Sequence, residues 1–443
     1  MGNTASVAIS PEKRLLKTTE QLVAEAELAE LRRLTPEQEA AAATAAQRIR
    51  EVAAAAKAAP KQEKAAPKYR GQEWWAIFGG GAIEPLLEHT PLIDLEYLVA
   101  LAEVDGVMPC GRQNVPPAAF ITARDLWRLK LWGKVNNKAS LGVLVLSYPW
   151  LDWFHPDRLG AQLRRLLPFL KAMLGEAKRD SPHCTVGVMI DFLCLPQKPF
   201  ATEEDGTRFG VSLKAINGWY FHQYTFTLLV TKPPPNGAVY SNPRLHCDRC
   251  WCFFEQAASK VVKDTTLLLD FGTYEGAVEF GDGRALPDTC LGQMKAGRRA
   301  PPIAPDAFGE RMRARVASDA LKCTSNAHIE FIIGQYEAGF VAAINRVAAE
   351  PGGRGCLNFE KLGWGDAEAA ELQPALRYAA AKCAFPAGPV RIIVTYDNRI
   401  SEEAMATLPP PHGGDLSAES VDWGAPGDAR HAWKGKFFTF PHA

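Results

Sequence analysis

The sequence lacks any apolar run long enough to cross a membrane as a helix. Its longest, at 141–146 and 227–231, stop far short of the ~18 residues that such a span needs. It also lacks an excess of either charge: lysine plus arginine number 50, aspartate plus glutamate 50, and the formal net charge is +0. That balance excludes a global electrostatic pull on nucleic acid and the self-repulsion of a highly charged disordered chain. No charged-then-apolar leader opens the sequence, so no secretory signal is expected. Cysteine is sparse, with ten scattered over 443 residues, and these are expected to be reduced thiols of an intracellular protein. What remains is ordinary. Hydrophobic residues make up 47 % and charged residues 23 %, which suits a globular chain able to bury a core. At roughly 100–200 residues per domain the length allows two to four domains.

Met1-Gly2-Asn3-Thr4-Ala5-Ser6 fits the N-myristoylation pattern, in which Gly2 offers a free, unbranched amine once the initiator is removed. One acyl chain binds membranes only marginally, so a second signal is needed. Residues 57–70 offer one, setting Lys57, Lys61, Lys64, Lys68 and Arg70 against Glu63 alone. Each basic group near an anionic leaflet contributes about 1 kcal/mol. A solvated alanine- and lysine-rich linker is the plain alternative. Two helices are expected between these signals, one opening at Ser10-Pro11-Glu12 and one at the capping box Thr35-Pro36-Glu37-Gln38. Pro60 and Pro67 mark the linker that follows.

Residues 71–138 form a mixed, tryptophan-rich lead-in. Gly79-Gly80-Gly81 reads as a turn, because no GKS or GKT follows it as a phosphate loop requires. Asp270-Phe271-Gly272 is likewise no kinase signature, since the lysine and catalytic-loop motifs are absent; it closes a strand at 266–271.

The informative region is 139–282. Apolar runs at 141–147, 186–191, 225–231 and 266–271 have strand length, and helical segments near 159–177, 209–220 and 251–262 separate them. Continuous apolar runs suit strands buried on both faces. The alternation predicts an α/β fold with a flavodoxin-like parallel sheet, and ligands in such sheets sit beyond the carboxyl ends of the strands. Ser147–Trp150, Asp191–Gln197 and the loop before Trp251 fall at that edge.

Here the residues resemble a known family. Leu146-Ser147-Tyr148-Pro149-Trp150 and Ile190-Asp191-Phe192-Leu193-Cys194-Leu195-Pro196-Gln197 are similar to two strand ends of the fungal heterokaryon-incompatibility domain. That domain is grouped with TIR domains, and Trp251-Cys252-Phe253-Phe254-Glu255 resembles the plant TIR motif WC-x-x-E. The likeness covers about 135 residues and is nearest to protist proteins of this type; Cys250 stands where glycine is usual. Active TIR domains cleave the bond between nicotinamide and ribose in NAD. The resemblance therefore implies NAD as a possible substrate and Glu255 as the carboxylate that steadies positive charge on the ribose. By the same resemblance Tyr148 or Trp150 would stack on a ring and Asp191 would orient a loop or a ribose hydroxyl, with Ser147 beside them. Each has a plainer alternative: Glu255 on a helix surface, Tyr148 and Trp150 in the core, Asp191 capping a helix.

Two function classes stay open. One is a membrane-tethered signalling protein that binds or cleaves NAD; the other is a non-catalytic module that self-associates or binds other proteins. Cys247-x-x-Cys250 is only half of a zinc site, so no metal is expected. A Cys–His pair built from Cys252 or Cys194 with His222 is the remaining chemistry. Past a proline- and glycine-rich connector, 283–350 is expected to hold helices at 308–316 and 327–347. Residues 351–443 resemble one degenerate ribonuclease-inhibitor-type leucine-rich unit followed by an irregular tail. A single unit cannot bury its own faces, so it is expected to cap the helices before it.

Overall fold

The computed structural model describes residues 35–58, 75, 78–129, 132–135, 138–178, 182–234, 239–274, 299–350, 356–384, 391–394, 398–408 and 438–439. Gly2, the first expected helix and the linker prolines lie outside them. The expected capping box forms: Thr35 N–H donates to Gln38 Oε1 at 2.9 Å, and Gln38 N–H donates to Thr35 Oγ1 at 3.3 Å. It opens α1 (Pro36–Ala58). β1 (Leu92–Asp94) runs into α2 (Leu95–Glu103), whose N-cap Asp94 accepts from Glu96 N–H. β2 (Phe120–Ile121) comes next, then a two-stranded hairpin of β3 (Trp132–Val135) and β4 (Lys138–Ser140). The expected alternation then appears as β5 (Val143–Ser147), α3 (Ala161–Lys178), β6 (Gly187–Met189), α4 (Glu203–Lys214), β7 (Phe226–Leu229), α5 (Cys250–Val262) and β8 (Leu268–Asp270). α6 (Pro305–Ala317) and α7 (Ala327–Ala348) follow.

Six strands form one sheet in the order β2-β1-β6-β5-β7-β8. β6, β5, β7 and β8 are parallel, with Leu144 opposite both Val188 and Phe226, and Leu228 opposite Leu269. The sheet is mixed rather than wholly parallel. β1 joins β6 antiparallel, and β2 joins β1 antiparallel, so the lead-in segment extends the sheet at one edge. At three and two residues, β1 and β2 are too short to show a period of two, and neither stands in a longer apolar run of the kind that marks β6 and β8. All five residues of β5 are buried, as a central strand covered on both faces requires.

The covering helices bury the stripes their spacing dictates. α3 places Leu163, Leu166, Phe169, Leu170 and Met173 in the core, each contributing about 1.5–3 kcal/mol by removal from water. Tyr148 and Ser147 mark the two faces. The Tyr148 hydroxyl donates to Asp157, whose carboxylate also accepts from Leu163 N–H at the start of α3. Ser147 points the other way, toward α5. α7 packs outside α5 and buries Ile332, Tyr336, Phe340 and Ile344, with Tyr336 stacked on Phe308 of α6.

Among the described residues the C-terminal unit contains β9 (Cys356–Asn358), α8 (Asp366–Lys382), β10 (Arg391–Ile393), α9 (Glu402–Thr407) and β11 (Phe438–Thr439). β9 and β10 pair in parallel across α8. Asn398 ties the strand ends together, accepting from Leu362 and Trp364 N–H and donating to the Phe359 and Val394 carbonyls. Ser401 caps α9 by accepting from Ala404 N–H. The unit docks on the rest of the chain through buried polar contacts as well as apolar ones. Asn358 donates to Asp264, the Trp364 indole donates to the Arg299 carbonyl, and Arg299 donates to the carbonyls of Lys263 and Asn358.

Candidate active site

The carboxyl ends of β5, β6 and β7 bring three stretches of chain together. Ser147 ends β5. After β6, Asp191 lies in the first turn of a one-turn helix, Asp191–Cys194. The loop after β7 carries a 3-10 turn, His246–Asp248, and leads straight into α5. Cys252 and Glu255 stand three apart on α5, so the helix presents them on one face.

Ser147 is the hub. Its hydroxyl donates to Glu255 Oε2 at 2.6 Å, and its oxygen lies 2.7 Å from His246 Nε2. Where Glu255 is ionised, Ser147 donates to it and accepts from His246 Nε2; where Glu255 is protonated, the chain of donors can run the other way, through Ser147 to a lone pair on His246 Nε2. Tyr220 flanks the carboxylate and donates to the Leu146 carbonyl at 3.3 Å. All four side chains are buried, Glu255 retaining 6 % exposure and His246 1 %.

Burial pushes Glu255 up to about 8; the Asp191 charge adds to this, while the Ser147 hydrogen bond and the neighbouring Tyr220 hydroxyl oppose it. Asp191 rises to about 6, again through burial, against hydrogen bonds from the Phe192 N–H and the Trp150 side chain. Burial also depresses His246 to about 4, so this imidazole is neutral near pH 7. Cys252 is held well above the ordinary thiol range by burial and by the Glu255 charge. The site thus holds two carboxylates whose environments separate their ionisation, an arrangement able to supply one charged and one protonated group near neutrality.

Of the residues singled out in the sequence, Ser147, Glu255, Asp191 and Trp150 come together. Trp150 bonds the Asp191 side chain and sets its ring edge-on to Phe192, with centroids 4.9 Å apart. Asp191 is not a helix cap; Ile190 holds that position, and the Asp191 carboxylate accepts from the neighbouring Phe192 N–H. Tyr148 does not join the site. As the residue immediately after β5 it faces the opposite side and is bonded to Asp157, which Tyr240 also bonds.

His222 does not meet either cysteine. It precedes β7, at the amino end of the sheet, and bonds the Gly79 carbonyl. Cys194 is buried, faces the Val188 carbonyl and is raised to about 12 by burial. The histidine that does approach Cys252 is His246, and spacing alone could not separate it from the other eight in the sequence. The expectation of reduced thiols is corrected at one pair: Cys250 and Cys323 form a disulfide across 73 residues. Beside it, Cys250 N–H donates to the Lys322 carbonyl and Lys322 N–H donates to the Asp248 carbonyl, pinning the start of α5. No family model matches this chain, and neither a curated protein nor a solved structure does.

Proposed function

We propose that this chain is a membrane-tethered signalling protein whose TIR-like, flavodoxin-like domain binds NAD and cleaves it between nicotinamide and ribose. The observation that carries this is the Ser147–Glu255 hydrogen bond of 2.6 Å at the carboxyl edge, with Asp191 close enough to repel Glu255. The parallel strands support the finer fold assignment, because they run second, first, third, fourth across the sheet, the order in which doubly wound folds open a ligand crevice. In the proposed reaction the C–N bond to nicotinamide breaks, nicotinamide leaves with the electron pair, and positive charge develops on the ribose. Ionised Glu255 stabilises that charge and is oriented by Ser147, which is held in turn by His246. Asp191 and Trp150 bind the ribose hydroxyls and a ring. A water oxygen then bonds the ribosyl cation and releases its proton to solvent, giving ADP-ribose. Myristoyl Gly2 and the basic 57–70 segment would hold the protein at the cytoplasmic face of a membrane, and the C-terminal leucine-rich-like unit would serve contacts with other proteins.

The test is to incubate the purified full chain with NAD and measure free nicotinamide. Release that Glu255→Gln abolishes supports the proposal, whereas release that survives Glu255→Gln and is lost in Cys252→Ser overturns it.

One observation favours a second function, a non-catalytic interaction module. Trp153 is 64 % exposed and Val239 81 %, and both lie on loops at this edge that are fastened to each other. Trp153 N–H donates to Ser241 Oγ, and Asp152 accepts from both the N–H and the hydroxyl of Ser241. Exposed apolar side chains on a rigid rim suit a protein contact, made either with another copy or with a partner. Absence of nicotinamide release at every concentration, with concentration-dependent assembly, selects this function.

A further inference from the structure

Among the described residues, three side chains of the types that bind divalent transition metals converge at one point. His246, Cys252 and Glu255 each offer a ligand atom, and all of these atoms lie within 4.8 Å of one another. We propose that these three residues bind a divalent ion of the zinc class, and that the bound ion blocks nicotinamide release by occupying Glu255. The second half rests on the function proposed above; the first half does not.

Imidazole, thiolate and carboxylate are the three side-chain ligands of biological zinc, and three protein ligands with one open position is the pattern of exchangeable zinc sites. Tetrahedral coordination at the usual bond lengths separates ligand atoms by ~3.3–3.8 Å, so the present spread needs a contraction of about 1 Å at its widest. The Ser147 oxygen, 2.7 Å from His246 and 2.6 Å from Glu255, is closer to both than ligands of one tetrahedral ion stand, so a metal entering here breaks these hydrogen bonds and leaves its fourth position open. Local structure fixes the three donors before any metal arrives. Cys252 and Glu255 share a face of α5, and His246 sits on a 3-10 turn whose following residues are tied to Cys323 and Lys322.

Charge counting favours the same occupant. A doubly positive ion balances one thiolate and one carboxylate, with a neutral imidazole, so the buried set carries no net charge. Binding displaces the Cys252 thiol proton, and the Glu255 proton where that group is protonated. Monovalent ions leave a net negative charge in this setting. Magnesium and calcium take oxygen ligands and have no affinity for the thiolate. The half zinc motif read in the sequence is a separate matter. Cys250 is committed to Cys323, which leaves Cys247 exposed and without that partner thiol.

The experiment titrates Co²⁺ into the chelator-treated, folded full chain without added thiol, and follows the absorption spectrum. The expected result is one equivalent bound, with thiolate-to-cobalt charge transfer in the near ultraviolet and the intense visible bands of tetrahedral cobalt, both removed by one equivalent of Zn²⁺. Cys252→Ser should abolish the charge-transfer band, and Cys247→Ser should leave it intact. Thermal melting of each variant without metal confirms that it is folded; wild-type melting raised by Zn²⁺ provides a readout that needs no variant. A folded wild-type chain with no stoichiometric tetrahedral signal overturns the site, as does a band that persists in Cys252→Ser. If the site binds metal but no preparation releases nicotinamide, the metal site stands and the NAD proposal falls. Nicotinamide release unaffected by saturating Zn²⁺ overturns the blocking half alone.

Discussion

Nicotinamide release should depend steeply on pH, because the group that must be charged is held neutral by its surroundings. Burial and the Asp191 charge raise Glu255 to about 8. With one titrating carboxylate, about 1 % is ionised at pH 6 and half at pH 8, so the rate should climb about 50-fold between them and level off above pH 9. The assay is single-turnover nicotinamide release by chelator-treated protein across pH 5.5–9.5. Two variants test the cause, and they shift the curve in opposite directions. Ser147→Ala removes a hydrogen bond to the ionised form. Such a bond contributes about 1.5–3 kcal/mol, which moves the midpoint about one to two pH units further into the alkaline range. Asp191→Asn removes the like charge and moves the midpoint toward acid. A flat profile from pH 6 to 9 would refute the assignment of Glu255, and so would two variants that shift the same way.

Other consequences follow from the same contacts. Glu255→Gln keeps shape and removes charge, and should cost on the order of 10²–10⁴ in rate, whereas Cys252→Ser in metal-free protein should cost less than tenfold. Because folding raises Glu255 above its ordinary 4.5, its stabilising effect is full below about pH 4.5 and is lost as pH rises through about 8; melting temperature should fall across that window, and Glu255→Gln should flatten the fall. Lys263 is fully buried, and its ammonium donates to the His222 carbonyl, the Thr225 carbonyl and the Thr225 hydroxyl. Lys263→Met removes the donor these acceptors share and should cost about 3 kcal/mol or more in chemical denaturation, an unchanged midpoint counting against the role. Gly2→Ala should move the protein from the membrane to the soluble fraction, and high salt should partly release the wild type; a fatty-acid-free N-terminus by mass spectrometry would rule this out.

What the sequence could reveal depended on how local each determinant is. The stripe of α3 and the capping box at Thr35 are written within a few neighbouring residues, so both were legible, and both formed. The four apolar runs gave the parallel strands for the same reason. β1 and β2 were not legible, since a three-residue and a two-residue strand carry no period, and what joins the pair to the main sheet is β6, about ninety residues after β1. Residues 147 and 255 were singled out separately, at strand end and helix start. Their bond needed the crossover to be built.

Tyr148, for which stacking on a ligand ring and packing in the core were both open, shows what sequence reasoning leaves out. Tyr148 and Ser147 are neighbours in one motif, and both were candidates to face the ligand. A strand sends consecutive side chains to opposite faces, so only one of the pair can reach α5. Chemistry decides which. The serine hydroxyl is small enough to sit between His246 and Glu255 and can both donate and accept, whereas Tyr148 spans to Asp157 beneath the opposite helix. His246 illustrates the converse. Its neighbours Cys247 and Cys250 suggested a metal motif by spacing, but Cys250 turns to Cys323, and His246 turns inward to Cys252 and Glu255 instead. The candidate ligands therefore come from a turn and one helix face, not from the C-x-x-C pair, and the site that could hold a metal is the same one proposed to act on NAD. If that is so, occupancy by metal and turnover of NAD exclude each other. Raising Zn²⁺ should then reduce the apparent rate, more strongly in alkali than in acid because binding displaces protons, and chelator should restore both the rate and the original pH midpoint; a metal that merely perturbed the fold would inhibit without that pH dependence.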